Sequence, residues 1–443
     1  MRILDAANWA GETGNQPGSM TKGSTTQGSA PARSAHEGSD PTPAVQAVIA
    51  AVRAEGDVAV RRFAAKFDRS SPELLEVPRQ AVEDALAIMK RDEADLVQAL
   101  ELARRNIERF AKAQREQFRD FEFELDEGLF TGQRVIPVER AAVYVPAGRF
   151  PLVSSVLMGV VPAKVAGVGE VFVVSPPLAD GLPDRRILAA AALAGADRVF
   201  AIGGAQAVAA LALGTESVPR VDVVVGPGNK YVATAKRLLY GEVGIDFVAG
   251  PTDVLVIADQ GANVDLVAAD LLAQAEHDPD ARARALVPSR AFAENLTAAV
   301  EKRLQTLSTA DTARASLDAG GIILVYRSRE EAVAVADRIC PEHLELHVAN
   351  APVWAPLFRN FGSLFIGARA AEVLGDYSAG INHTLPTSGS ARFTGGLSVR
   401  HFIKTVTTLR GDSGSGYDAA RDAAISIAQA EGLAGHEASA KAR

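Results

Sequence analysis

Residues 170–213 read EVFVVSPPLADGLPDRRILAAAALAGADRVFAIGGAQAVAALAL. Glu170–Ser175 is a continuously apolar, β-branched run closed by Pro-Pro, which predicts a buried strand. Asp184–Ala194 then has the Ala/Leu composition of a helix, Arg198–Ile202 returns to strand, and Gln206–Leu213 to helix. A strand apolar at every position must be covered on both faces. Strands alternating with helices supply that cover as βαβ units around a parallel sheet.

The alternation extends outward in both directions. Upstream, Ala141–Val145 reads as a strand and Ser155–Val165 as a helix. Downstream, Val221–Val225 is a strand followed by GPGN and a helix. After Gly250 the pattern resumes with Asp253–Ala258, a helix ending in QAEH, a strand at Ala283–Val287, a helix at Ala291–Leu304 and a strand at Gly321–Val325. Two parallel-sheet blocks are therefore expected, without a fixed-period repeat. Toward the N-terminus, Asp120–Gln133 reads as strand and turn, about Gln80–Phe118 as a long charged helix, and the segment from Pro43 as a helical hairpin broken at Gly56. Residues 11–43 are rich in Gly, Ser, Thr and Pro. Such a stretch cannot bury enough surface to offset its ordering entropy, so a flexible N-terminal segment over residues 1–40 is expected.

A chain of 443 residues, 48% hydrophobic and 23% charged, can build two or three ordinary cores. A net charge of −8 argues against a nucleic-acid partner. One cysteine cannot form an intramolecular disulfide, so a cytoplasmic setting is expected. No apolar run is long enough to span a membrane, and the N-terminus lacks the pattern of a secretory signal.

The histidines point to chemistry. There are seven, and four lie among carboxylates, Gly or Pro: His277 in LLAQAEHDPD, His343 in PEHLE, His383 in GDYSAGINHTLPT and His436 in EGLAGH. Gln274 and His277 close an apolar helical run three residues apart, so one helix face can aim an amide oxygen and an imidazole at one metal ion. Alone, such a pair more often marks a solvated face. Glu342 and His343 offer an acid and a base, though Pro-Glu-His also suits a helix start. Neighbours point differently on any regular element, which favours two successive proton transfers over a joint one. No GxGxxG follows a strand. VGPGN at Val225–Asn229 can present backbone N–H groups to an anion, or be an ordinary turn. Cys340 reads as core packing, and His347 and His401 as surface residues of a strand and a helix.

Taken in order, YVPAG at 144–148, SSVLM at 154–158, GGAQA at 203–207, VGPGN, AGPTD at 249–253, QAEHD at 274–278, PEHLE, GDYSAGINHTLPTSG and EGLAGH resemble the histidinol dehydrogenase family over roughly residues 44–436. The resemblance implies an α/β protein with two Rossmann-like domains. One, of residues 41–128 plus 250–391, would carry most zinc and acid–base residues. The other, 129–249, would bind NAD, and a helical tail over 392–443 would dimerise. It implies one zinc per subunit held by Gln274, His277, Asp376 and His436, and NAD contacts from Tyr144, Gln206 and Asn229. Glu342 and His343 become the catalytic pair. Thr252, Gln274, His277, His343, Asp376, His383, Glu431 and His436 become substrate contacts. Glu431 and His436 would reach the site from the other subunit of a homodimer. The implied reaction takes a small primary alcohol to a carboxylate through an aldehyde, with L-histidinol in histidine biosynthesis as the default substrate. PAGRFPLVSSVLM, AGPTD and TGGLSV depart from the biosynthetic pattern and look more like relatives that oxidise other polar alcohols, such as sulfonated propanediols, with Arg149 and Arg392 able to pair an anion. A binding protein without turnover is a further alternative, against which the intact Glu342–His343 pair argues.

Overall fold

Chain order, starting from residue 1, places a strand where none was expected. The computed structural model describes residues 1–9, 40–147 and 151–443, so most of the expected flexible segment and Arg149 lie outside the described residues. Arg2–Asp5 forms β1, paired in parallel with Ile322–Val325. Four residues cannot display a period, but Met1 and Ile3 pack into an apolar cluster and Arg2 N–H donates to Gly321 O at 3.1 Å. The first residues are thus part of a sheet.

Four amphipathic helices follow: α1 (Thr42–Glu55), α2 (Asp57–Phe67), α3 (Arg79–Asp92) and α4 (Ala94–Arg115). The hairpin β2 (Phe121–Asp126) and β3 (Leu129–Pro137) comes next. The alternating block holds β4 (Arg140–Tyr144), α5 (Val153–Ala166), β5 (Glu170–Ser175), α6 (Arg185–Ala194), β6 (Arg198–Ala201), α7 (Gly204–Leu213), β7 (Val223–Val225), α8 (Lys230–Leu239) and β8 (Gly244–Ile245). Its five strands are parallel, in the order β6-β5-β4-β7-β8. Successive residues serve opposite faces: Ala141, Val143, Val171 and Val173 enter one core, Ala142, Tyr144, Phe172 and Val174 the other. At Gly159 of α5 an added Cβ would lie 2.3 Å from Val143 Cγ1, so only glycine lets this helix sit so close on the sheet.

The second block holds β9 (Asp253–Ala258), α9 (Val264–Ala275), β10 (Arg282–Val287), α10 (Arg290–Leu304), α11 (Ala310–Gly320), β11 (Ile322–Val325), α12 (Arg329–Ile339), β12 (His343–His347), α13 (Ala351–Trp354), β13 (Ser363–Ile366) and α14 (Glu372–Tyr377). Its six parallel strands run β1-β11-β10-β9-β12-β13. The chain ends with β14 (Ile403–Gly411), α15 (Ser415–Ala430) and α16 (Ala434–Lys441).

Three expectations change. The helices of residues 42–115 pack on the five-stranded sheet rather than on the second one: α1 meets α7 and α8, α3 meets α6, and α4 meets α5. Leu75–Val77 also runs along edge strand β6, with Val77 N–H donating to Val199 O and Ala201 N–H to Leu75 O. The C-terminal tail is not helical throughout, because β14 pairs antiparallel with β3 in a three-stranded sheet, β14-β3-β2. The PEH segment does not start a helix, since His343 opens buried strand β12. Among the described residues no helix is long and apolar enough to cross a membrane.

Candidate active site

Glu342 and His343 stand at the amino end of β12, beside the amino end of β9. Open parallel sheets usually bind ligands at the other end, so the topology alone would misplace this site. Glu342 precedes the first strand residue, where strand alternation does not apply, and its Oε2 lies 3.9 Å from His343 Nδ1. The two side chains thus converge, contrary to the reading of neighbours pointing apart. Glu342 Oε2 accepts the Thr252 hydroxyl at 2.6 Å and the Asp253 N–H at 3.0 Å. Asp253 Oδ1 in return accepts Glu342 N–H at 2.8 Å. Burial lifts the Glu342 carboxyl well above the usual range, against the lowering effect of the Thr252 hydrogen bond.

His343 is buried, with Nδ1 3.2 Å from Asp253 O and 3.4 Å from Glu372 Oε1. Among the described residues its Nε2 has no hydrogen-bond partner, and it lies 3.8 Å from Asp376 Oδ1. Burial pushes the ring down to about 3, so the imidazole is neutral near physiological pH and able to accept a proton at Nε2.

The zinc-type donors gather nearby. His277, Glu372 and Asp376 bring one ligand atom each within 4.8 Å of one another. His277 lies two residues past the end of α9, its N–H on Gln274 O at 3.3 Å, so the expected single helix face is a helix end plus a turn. Gln274 is fully buried. Its Nε2 donates to Thr252 Oγ1 at 2.8 Å, while Oε1 has no partner among the described residues. Burial also raises Glu372 well above the ordinary range and Asp376 to about 7. A buried orphan amide oxygen, an imidazole and crowded carboxylates fit a divalent cation, which would offset the charge that burial opposes.

His383 is placed by the same turn of chain. Its Nδ1 lies 2.9 Å from Asp376 O and its Nε2 3.2 Å from Ser155 Oγ on α5. Asn382 Nδ2 donates to Met158 O at 2.7 Å. The SSVLM and GINHT motifs therefore meet across the two sheets. Burial pushes the His383 ring down to about 4.

A cleft of about 660 Å³ brings Tyr144, Gln206 and Asn229 together. It lies outside the carboxyl ends of β4 and β7, where the strand order reverses, the usual place for a dinucleotide. Tyr144 Oη accepts Gly204 N–H at 3.1 Å, and Gln206 Nε2 donates to Asp68 Oδ2 at 3.3 Å. Asn229 caps α8, Oδ1 accepting from Tyr231 and Val232 N–H. Gly226 has φ +106°, and a Cβ there would lie 2.2 Å from Tyr144 O. The turn is fixed by a buried Lys236–Asp246 ion pair: Lys236 Nζ donates to Gly226 O at 2.9 Å, and Asp246 Oδ2 accepts Gly226 N–H at 2.8 Å.

Glu431 and His436 do not join these groups within one chain. Both are exposed, Glu431 at the end of α15 and His436 on α16. α15 packs on β2, whose Phe121, Phe123 and Leu125 are exposed. Arg392 is exposed, on the side of Cys340. Cys340 is buried, with φ +51° at the end of α12, Sγ donating to Asp337 O and burial raising its thiol, so it offers no thiolate.

The sequence reading missed Asp253, Glu372, Asp68 and His347. Glu372 alone had a visible signal, four residues before Asp376 on one helix face. His347 is not a surface residue but is buried beside Glu345 and Asp270, and the half-buried His401 accepts Ser398 N–H at 3.1 Å.

A dinucleotide-type cleft on one sheet, with a buried acid–base pair and metal donors on the next, is the arrangement of an oxidoreductase. The histidinol dehydrogenase family profile matches residues 32–443. A histidinol dehydrogenase of Thermus thermophilus is 48% identical over 392 residues, covering 88% of this chain and 92% of that relative. One from Pseudomonas aeruginosa is 45% identical, covering 89% of each. The crystal structure of histidinol dehydrogenase from Elizabethkingia anophelis superposes with a TM-score of 0.86 at 34% identity, over 93% of both chains. The chain belongs to the histidinol dehydrogenase family.

Proposed function

We propose that this protein is a zinc- and NAD-dependent dehydrogenase that oxidises L-histidinol to L-histidine through the aldehyde, in histidine biosynthesis. The observation that carries the reading is that, among the described residues, the buried Gln274 Oε1 and His343 Nε2 are unpartnered, His343 Nε2 lying 3.8 Å from Asp376, which groups with His277 and Glu372. Family membership and relatives at 42–48% identity, all histidinol dehydrogenases, favour histidinol over a sulfonated diol.

Gln274, His277 and Asp376 would hold zinc, with His436 completing the set from a second subunit. When bound, the metal supplies Lewis acidity toward the substrate oxygen and NAD supplies the hydride acceptor. Tyr144, Gln206 and Asn229 would line the NAD site. His343 Nε2 takes the alcohol proton, for which a neutral imidazole is required. Glu342, held by Thr252 and the Asp253 N–H, takes the proton of the water that adds to the aldehyde. His383, fixed between Asp376 O and Ser155, and Glu431 from the second subunit would orient the substrate. The exposed Phe121, Phe123, Leu125, Ile427 and Leu433 around the tail supply apolar surface for dimerisation.

The test is NADH formation on histidinol and on a sulfonated propanediol, with zinc counted by elemental analysis. Histidinol should be oxidised, a chelator should stop it, and His277→Ala should lose both metal and turnover. Full zinc in His277→Ala overturns the ligand assignment, and turnover of the diol alone overturns the substrate.

A further inference from the structure

Two and four residues along β12 from His343 stand members of a second buried ionic group. Along β12, His343, Glu345 and His347 share one face, since strand side chains alternate. His347 Nε2 stands 3.2 Å from Asp270 Oδ2 and 3.4 Å from Glu345 Oε2. Glu345 Oε1 accepts Glu372 N–H at 2.7 Å. Glu345 and His347 are almost wholly buried, and among the described residues neither Glu345 Oε2 nor His347 Nδ1 has a hydrogen-bond partner, so ion pairing alone holds His347 Nε2 to the two carboxylates.

Each member sits on an element that carries part of the site. Asp270 is one helical turn before Gln274 on α9, whose end leads to His277. Glu345 is two residues after His343 on β12. Glu372, whose N–H it holds, begins α14 and lies four residues before Asp376. We propose that Asp270, His347 and Glu345 form a buried ionic clasp that positions the active site by tying α9, β12 and α14 together. α14 needs such a tie: it has six residues, and Ala371 before it gives no side-chain cap. Burial would lower the His347 ring, but Asp270 and Glu345 at its Nε2 raise it to about 9, while burial raises Glu345 in turn. None of the three reaches the reacting atoms. They are positioning residues, and their part in zinc binding rests on the function proposed above.

The variants Asp270→Asn and Glu345→Gln remove charge with little change of shape, and Asp270→Glu restores charge. In the metal-free protein, amide hydrogen exchange over Glu372–Tyr377 should quicken about tenfold or more in the two neutral variants and stay near wild type in Asp270→Glu. In the zinc-loaded enzyme, a chelator should withdraw the metal about 10- to 100-fold faster, and kcat should fall more than KM rises. Measurements well below each variant's melting temperature separate this from general destabilisation. Wild-type exchange in α14 together with a lowered melting temperature overturns the clasp. So does a second zinc per wild-type subunit that is lost in His347→Gln, because His347 would then be a ligand. The exchange readout needs neither zinc nor turnover, so a failure of the functional reading is told apart from a failure of the clasp.

Discussion

Thr252 donates its hydroxyl proton to Glu342 Oε2 at 2.6 Å, across 90 residues of sequence. A hydroxyl has one proton, so toward Gln274 it can only accept, and it does so from Nε2 at 2.8 Å. The amide of Gln274 is thereby held by its nitrogen, which leaves the buried Oε1 as its free donor atom. One threonine orients the proposed base and one proposed ligand together.

Thr252→Val keeps the shape and removes that hydroxyl. Zinc affinity and aldehyde oxidation should each fall about 10- to 100-fold, and Thr252→Ser should restore most of both. Zinc titration and NADH formation on supplied aldehyde measure the two. Undiminished zinc affinity in Thr252→Val would show that the amide needs no such orientation.

The exposed positions of Glu431 and His436 lead to a complementation experiment. His277→Ala and His436→Ala proteins should each be inactive, and mixed subunits should recover part of the activity through hybrid dimers holding one intact site. Subunit exchange confirmed by mass, with no recovered NADH formation, would place His436 outside the site.

Glu342→Gln tests the division of labour. The change keeps the hydrogen bond from Thr252 but removes the base, so oxidation of supplied aldehyde should fall at least as far as that of alcohol, by about 10²–10⁴. A variant that oxidises aldehyde at the wild-type rate while failing on alcohol would reverse the roles of Glu342 and His343.

His347 gives a stability signature. Its value is raised from 6.5 to about 9 by the two carboxylates, so its contribution is complete below about pH 6.5 and is lost as pH climbs through 9. Urea unfolding between pH 6 and 10 should show this decline in wild type and a flatter profile in Asp270→Asn. An equal decline in both would place the titrating group elsewhere.

Sequence by itself determined the two parallel sheets, because strands such as EVFVVS and DVLVIA are apolar at every interior position and must be covered on both faces. It also determined the candidate chemistry, since Gln274, His277, Glu342, His343, Asp376 and His383 stand in motifs whose residue types and order are visible along the chain. The tertiary structure alone decided where the amphipathic helices of residues 42–115 pack, because a hydrophobic stripe records that a helix is buried but not against which sheet. It alone brought β1 into the second sheet, four residues being too few to carry a period. The links from Thr252 to Glu342, from Lys236 to Gly226 and from Glu345 to Glu372 were likewise hidden. A hydrogen bond is short-ranged and directional, and its partners become neighbours only when distant elements close on one another.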